Sequence, residues 1–445
     1  MEIKEAEETE QPEKPEGGLK MKICFIIFGI GSLLAWNAIL SDIGFFINYQ
    51  EKYNPSTSFA FFNFALNIVF QFIMIFKKQL LTYKTQLIFG LIASIISLVA
   101  LPFAVVPFEK NSLTSFILTG GIILFQGLVN AFCCNGFFGL TSFFPMEMII
   151  SLSSGQGISG ILMNVIGFIV LASINTGNQN DDAKLGAIVF FSISGLIILI
   201  CLIILLFAFK SDYFKYYLDK TGEYNKMQDK VANKVSEGEI VTRSTGDKEE
   251  GDEQLVENQK GNNEDSEVSF LDLFKKLYDV DLLSCYIYVI TFALYPGCSI
   301  NQRLFETGKY RQTSIVTIYN VFDTIGRSII STIKPTKILT YIIVLGRTIL
   351  LFTLIFNFYL DMNDIIGPNF SSISVIINVS LLALTNGMAT SLCFGLAPSL
   401  VPDKMKGRAG GSISFFNLFG IFLGTCVAFL TNFIMGEIGV YNPDQ

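Results

Sequence analysis

Eleven runs of mainly apolar residues constrain this chain more than any other feature. They lie at about 22–47, 58–79, 83–107, 113–140, 146–174, 185–209, 279–300, 312–333, 337–360, 372–400 and 408–435. Each reaches the roughly 20 residues that carry a helix across the hydrocarbon core of a bilayer. A backbone in lipid must satisfy its own N–H and C=O groups, so the runs are read as transmembrane helices. Composition agrees, with 51% of the 445 residues hydrophobic, 16% charged and 43 of them Phe. The expectation is an all-α polytopic membrane protein with eleven transmembrane helices.

Basic residues in the short loops orient the helices. Lys77, Lys78 and Lys84 lie between the second and third, Lys334 and Lys337 between the eighth and ninth, and Lys404, Lys406 and Arg408 between the tenth and eleventh. With the basic residues of 210–270 they share one side, which the positive-inside rule makes cytoplasmic. Arg303, Lys309 and Arg311, between the seventh and eighth helices, vote the other way. The majority puts the N-terminus inside and, with an odd number of spans, the C-terminus outside. Asn369, in the acceptor triplet "NFS", then falls on the outer side as a glycosylation candidate.

The net charge of −7 is concentrated in residues 1–16 and 210–270, and the remainder is net positive. The acidic balance therefore argues for two solvated segments and gives no reason to expect nucleic acid as a partner. Residues 1–21 read as a cytoplasmic tail that does not resemble a signal peptide. Residues 210–278 read as a flexible cytoplasmic linker, too poor in large apolar residues to fold alone. The chain divides into a six-helix half (22–209), the linker, a five-helix half (279–436) and an outer tail (437–445). All eight cysteines sit in apolar runs, and the chain has no His. Metal sites, cofactor binding and His-based catalysis therefore find no ligand set, and the pair Cys133-Cys134 reads as small packing side chains.

Two segments repeat. "NAFCCNGFFGL" (130–140) and "NGMATSLCFGL" (386–396) share Asn and Phe-Gly-Leu at one spacing. The fourth and tenth helices thus correspond and run parallel, which suggests two halves related by an axis along the membrane normal. That arrangement is similar to the 6+6 architecture of major-facilitator transporters, here 6+5.

Polar residues inside the runs carry the functional signal. Asp323 and Arg327, in "NVFDTIGRS", are four apart and share a helix face, with Asn320 one turn earlier. Each charge near a helix centre costs roughly 2.5–3.5 kcal/mol on insertion scales. One reading is an ion pair that locks the eighth helix to a neighbour; the other is a polar wall that hydrogen-bonds a solute. Trp36, the single Trp, lies deep in the first helix beside Asn37 and suits stacking on a flat ring better than an interfacial anchor. Arg347 reads as a structural partner to a carbonyl or acid. Asn135, Asn164, Asn386 and Asn417 read as interhelical glue, with Asn135 also, like Asn37 and Asn320, a candidate substrate-binding residue. Gly155, Gly157 and Gly160 permit close helix packing, and no phosphate-loop context surrounds them.

These strings together resemble the equilibrative nucleoside transporter family (solute carrier family 29) over nearly the whole chain outside the acidic segments. "GIGSLLAWN" (29–37) matches the family's first helix except that Ala35 replaces Pro, and "GQGISG" (155–160, with Gln156) matches its fifth. Tyr295-Pro296 stands at its Phe-Pro. Asn320, Phe322, Asp323, Gly326 and Arg327 match the eighth-helix signature throughout, and Asn386-Gly387 matches the tenth. The resemblance implies a facilitative carrier of nucleosides or nucleobases with a major-facilitator-like fold. It implies that Trp36, Asp323 and Arg327 line the cavity, and that Leu40 and Pro296 contribute to an outer gate, to which Tyr295 is joined as a candidate. Several members place a base-contacting Gln in helix 4. Here that region reads "CCNG", which leaves Asn135 as the shorter substitute.

Residue chemistry agrees: a nucleoside offers a flat base to Trp36 and vicinal hydroxyls to the Asp323–Arg327 pair. The alternatives are a proton-coupled carrier, with Asp323 and Asp42 as candidate carboxylates, and a porter for sugars or other polar solutes. A seven-helix receptor would not need eleven spans, no channel filter is visible, and no catalytic constellation surrounds the ion pair. No obligate protein partner is implied. Plasma membrane is the family default.

Overall fold

The computed structural model describes residues 18–76, 81–217, 270–295, 299, 302–305, 311–330, 333, 335–402 and 405–437. Among these the architecture is all-helical. In chain order the long elements are α1 (Gly18–Ser41), α2 (Ile43–Gln50), α3 (Pro55–Phe76), α4 (Tyr83–Phe103), α5 (Leu113–Thr141), α6 (Met146–Ser173) and α7 (Gln179–Ala208). The second half contributes α8 (Phe270–Leu294), α9 (Arg311–Ile330), α10 (Lys337–Gly346), α11 (Thr348–Met362), α12 (Pro368–Leu396) and α13 (Lys406–Glu437).

Local chemistry sets the ends. Thr82, Ser112, Asn178 and Thr336 cap α4, α5, α7 and α10 by accepting a hydrogen bond from a backbone N–H of the first turn, worth about 1 kcal/mol each. Pro55 and Pro368 open α3 and α12, where a missing N–H is harmless. Asn54 takes a left-handed φ of 47° that turns the chain from the short helix Glu51–Tyr53 into α3. Two apolar runs that read as single helices are broken at a polar residue. The first breaks at Asp42, between α1 and α2, and the ninth at Arg347, between α10 and α11.

Ten of the described helical segments are long and apolar enough to cross a membrane. α9 has the length, 20 residues, but not the composition. Its polarity is one-sided: Asp323, Thr324 and Arg327 are buried, while Ile325 and Ile329 are exposed. α9 packs between α6 and α12, so its charged face is sheltered by protein while Ile325 and Ile329 remain for lipid. Its place among eleven crossings therefore rests on burial rather than on hydropathy. The protein is a multi-pass membrane protein.

The acidic stretch 210–278 is more ordered at its ends than composition suggests. Residues 212–217 are helical, and Tyr213, Phe214 and Tyr217 bury against Phe144, with Phe214 also stacked on Phe25 at 5.6 Å. α8 begins at Phe270, burying Leu273, Leu277 and Val280 on one face. Residues 218–269, the tails 1–17 and 438–445, and Pro296 lie outside the described residues.

Close helix crossings are built on glycine. A Cβ at Gly29 would strike the Leu152 carbonyl, and one at Gly155 the Ile26 carbonyl, so α1 and α6 touch backbone to backbone. The second half repeats the device: Gly326 and Gly387 leave no room for a Cβ between α9 and α12. The halves meet along two seams, α6 against α9 and α3 with α5 against α13. The repeated segments also meet. Phe138 of α5 and Phe394 of α12, equivalent in the two copies, stack with ring centroids 4.1 Å apart and planes 13° from parallel.

Arg303, one of the three basic residues between the seventh and eighth runs, is held by acids in and just after α11. Arg303 pairs with Asp364, lies 3.7 Å from Asp361, and its backbone N–H donates to Asp361. The Asp364 carboxylate, with Asp361 behind it, raises the Arg303 pKa.

Candidate solute site at the seam between the halves

Asp323 and Arg327 project from α9 into the α6–α9 seam, and each is about 5% exposed. Their ion pair runs from Arg327 Nε to Asp323 Oδ2 at 2.7 Å. Both groups have further partners. Asp323 Oδ1 accepts from Asn386 Nδ2 of α12 at 2.8 Å. Arg327 Nη1 donates to Ser153 of α6, to its hydroxyl at 2.9 Å and its carbonyl at 3.3 Å. Ser153 in turn lies 3.3 Å from the Ser391 hydroxyl of α12.

The network continues through the second half. The Asn386 amide oxygen is 2.9 Å from the Thr291 hydroxyl of α8, which accepts from Arg347 Nη2 at 2.6 Å. Arg347 also donates to the carbonyls of Ile287 and Leu382. Its carbonyl partners agree with the structural role read from sequence, and they fasten the α10–α11 break to α8 and α12. A fully buried arginine bound in this way holds position without a carboxylate of its own.

α6 is the element that brings these groups together. Gly155 lies on α1, Gly157 faces Thr324 and Arg327, and Gly160 faces the Asn320 carboxamide. Gln156 donates to Ser32 of α1 at 3.2 Å. Asn37 of α1 donates to Ser159 of α6 at 2.5 Å, so its amide is engaged in the α1–α6 contact. Three glycines within six residues thus let α6 touch α1 on one side and α9 on the other.

Trp36 is 6% exposed and meets Phe64 of α3 edge to face at 5.0 Å. Phe64 in turn meets Phe292 of α8 at 5.5 Å. This aromatic chain crosses from the first half to the second. One turn beyond Trp36 on α1, Leu40 is buried. Tyr295 lies flat on Tyr319 of α9, centroids 4.0 Å apart and planes 3° from parallel. Tyr319 is one turn before Asp323.

Asn135 is placed elsewhere. Its amide donates to Gln86 Oε1 of α4 at 2.9 Å, and Gln86 donates to the Leu81 carbonyl. The bond to Gln86 turns Asn135 toward α4 and leaves it outside the Asp323 network. Asn369 is exposed in the first turn of α12. Cys133 and Cys134 are buried and free, with Cys133 filling the space beside Gly90. Among the described residues no group of three or more His, Cys, Asp or Glu could hold a metal.

Sequence reasoning missed Ser153, Thr291, Ser391 and Phe64. Hydroxyls and phenylalanines are common in membrane helices, so no local pattern distinguishes these four. It also passed over Asn63, Asn67 and Gln71 of α3, whose i, i+4, i+8 spacing was there to be read.

Comparisons with known proteins bear on the family and the fold. The family model described as "Nucleoside transporter" matches residues 120–433. Equilibrative nucleotide transporter 7 of Arabidopsis thaliana is 27% identical over 430 residues, covering 94% of this chain and 96% of that protein. Human equilibrative nucleoside transporter 1 is 22% identical, covering 92% and 96%. Among solved structures, the proton:xylose symporter XylE superposes with a TM-score of 0.56 at 13% identity, covering 94% of each chain. The E. coli fucose:proton symporter FucP gives 0.53 at 14%, covering 94% and 93%. At such identities these two show the fold alone, which is that of the major facilitator superfamily. With a family model spanning most of its length and relatives aligned almost end to end, the chain belongs to the nucleoside transporter family, a family of carriers and not of enzymes.

Proposed function

We propose that this protein carries nucleosides, or their nucleobases, across a membrane by facilitated alternating access. The observation that carries the reading is the Asp323–Arg327 pair, buried at the seam and tied to both halves. Arg327 belongs to the second half and Ser153 to the first, so their bond must break when the halves part. A solute with vicinal hydroxyls can replace Ser153 on the guanidinium and Asn386 on the carboxylate. Exchange of partners, rather than creation of new charge, keeps the site neutral when empty and when loaded.

Trp36, with Phe64 and Phe292, supplies the aromatic wall for a base, while Asn320 flanks the pair from the preceding turn of α9. Leu40 and Tyr295, with Pro296, form the outer gate. Asn37, Gly155, Gln156, Gly157 and Gly160 keep α6 in register with its neighbours. The N-terminus and the segment joining the halves are cytoplasmic, the C-terminus is outside, and the membrane is the plasma membrane. A glycan at Asn369 and an epitope tag at Gln445 should then be accessible from the same, outer face of intact cells.

Uptake of radiolabelled adenosine by transport-deficient cells, competed with bases and with xylose or fucose, tests the reading. Saturable uptake competed by nucleosides or bases supports it; competition by sugars alone replaces it with a sugar porter. Proton coupling has one specific observation in its favour. Asp42, at the α1–α2 break, holds a buried Oδ2 with no hydrogen-bond partner. An imposed proton gradient that drives adenosine above equilibrium would establish that second reading over the facilitative one.

A further inference from the structure

Asn63 and Asn67 of α3 are both 0% exposed, and all four of their amide atoms lack a hydrogen-bond partner. Gln71, one turn further, is equally buried, and only its Nε2 is engaged, at 3.4 Å from Ser414 of α13. Spacing of four residues places the three amides in a row along one face of α3. Interhelical amides in membranes ordinarily find partners, since hydrocarbon offers none. A row of buried amides without protein partners has hydrogen-bonding capacity to offer to water or to a solute.

The position of the row says what that solute is. Phe64 and Gln71 are seven apart and so nearly superimpose along the helix, with Asn67 between them. The ring of Phe64 meets Trp36, and it also meets Phe292 across the seam. Asn67, about 60° round the helix from Phe64, therefore borders the aromatic wall, and Asn63, about 100° round, lies beyond it on the same side. On the other side Gly127 of α5 lets the Asn63 backbone approach so closely that a Cβ would strike its carbonyl. A flat ring held against the aromatics would present its polar edge along α3.

We infer that Asn63 and Asn67 read the hydrogen-bonding edge of the nucleobase, the task that helix-4 Asn135 is placed too far aside to perform. The inference rests on the nucleoside reading above. A carboxamide offers one donor side and one acceptor side, which fits an adjacent donor and acceptor on a base, as Asn fits the adenine edge elsewhere. A sugar ring presents no such planar pair. The ribose meets Asp323 and Arg327 on α9, and the base lies across the seam toward α3.

Purified protein in liposomes tests this with two pairs of substrates. Adenosine is compared with purine riboside, which lacks the exocyclic amine, and uridine with 3-methyluridine, whose edge donor is blocked. Wild type should prefer the intact edge in at least one pair by about tenfold in kcat/KM, the effect of leaving a polar site unpaired. Asn63→Leu and Asn67→Leu should erase most of that preference and leave the edge-blocked substrate within about twofold. Thermal melting of each variant confirms the fold, and Asn67→Ala serves if leucine is not accommodated. A wild type without preference in either pair overturns the inference, as does a preference that survives both substitutions. Transport of nucleosides without edge discrimination leaves the carrier reading standing. Failure to transport any of the four removes both.

Discussion

The two seams treat buried polarity in opposite ways. At the α6–α9 seam an aspartate and an arginine, the most expensive groups to bury, are bound to each other, to Asn386 and to Ser153. On α3, the helix that borders the second seam, neutral amides, far cheaper to satisfy, are left with open valences at Asn63 and Asn67. Saturation marks a tie that holds the halves in this conformation and must be exchanged to release them. Vacant hydrogen-bonding capacity marks surface that is completed by something other than the chain. A search for function in charges alone would find the first seam and overlook the second.

The largest expected effect breaks the saturated seam. Arg327→Leu strands the Asp323 carboxylate in a buried position, and should cost about 3–5 kcal/mol of stability and abolish uptake. Thermal melting in detergent together with adenosine uptake checks both. A variant that melts like wild type would show that the network is not a tie at all. Next in size is Asp323→Asn, which preserves shape and one acceptor but removes charge-assisted bonding. Apparent substrate binding should weaken by about 1.5–3 kcal/mol with the fold retained. Nucleosides lacking the 2′- and 3′-hydroxyls should lose least. Equal losses for ribosides and dideoxyribosides would mean that the pair grips helices rather than ribose.

Asn67→Leu sharpens the contrast with the opposite sign. No hydrogen bond is lost, and an apolar side chain replaces two unpartnered polar atoms, so the melting point should hold or rise, by an equivalent of roughly 1–3 kcal/mol. A clear fall would show that the amide has a structural partner, and the two seams would then be alike. The smallest effect is expected at the contact between repeated segments. Phe394→Leu removes an aromatic pair worth about 0.5–1.5 kcal/mol from the Phe138 stack. If that stack helps hold α5 and α12 together, the variant should label faster at a cysteine introduced near Phe138, with stability little changed. An unaltered labelling rate would relegate the stack to packing.

The repeat also shows how one motif can be put to two uses. Asn130 and Asn386 are equivalent in "NAFCCNGFFGL" and "NGMATSLCFGL". Asn386 is wired to Asp323 and Thr291, whereas the Asn130 amide oxygen accepts only a weak bond from Cys134 of its own helix at 3.8 Å. Identical letters at identical spacing therefore did not reveal which copy serves the ion pair. The neighbour decides: α9 brings Asp323 to Asn386, and among the described residues no charged group bonds to Asn130.

What could be read from the residues in order was whatever depends on local period and on transfer from water. The apolar runs dictate helices, and the placement of Asp323 and Arg327 four apart dictates a shared face. The glycines of "GQGISG" announce close contact. These conclusions hold in any environment the helix enters, because they follow from helical geometry and the cost of polar groups in lipid. Tertiary structure alone decided which helix each face meets. It turned Asn135 toward Gln86 and engaged Asn37 with Ser159, and it left Asn63 and Asn67 without partners. It also ordered residues 212–217 by giving Tyr213, Phe214 and Tyr217 an aromatic cluster to join. A hydrogen bond needs its partner within about 3 Å, and residues more than a hundred positions apart in a chain reach that distance only when the helices have packed.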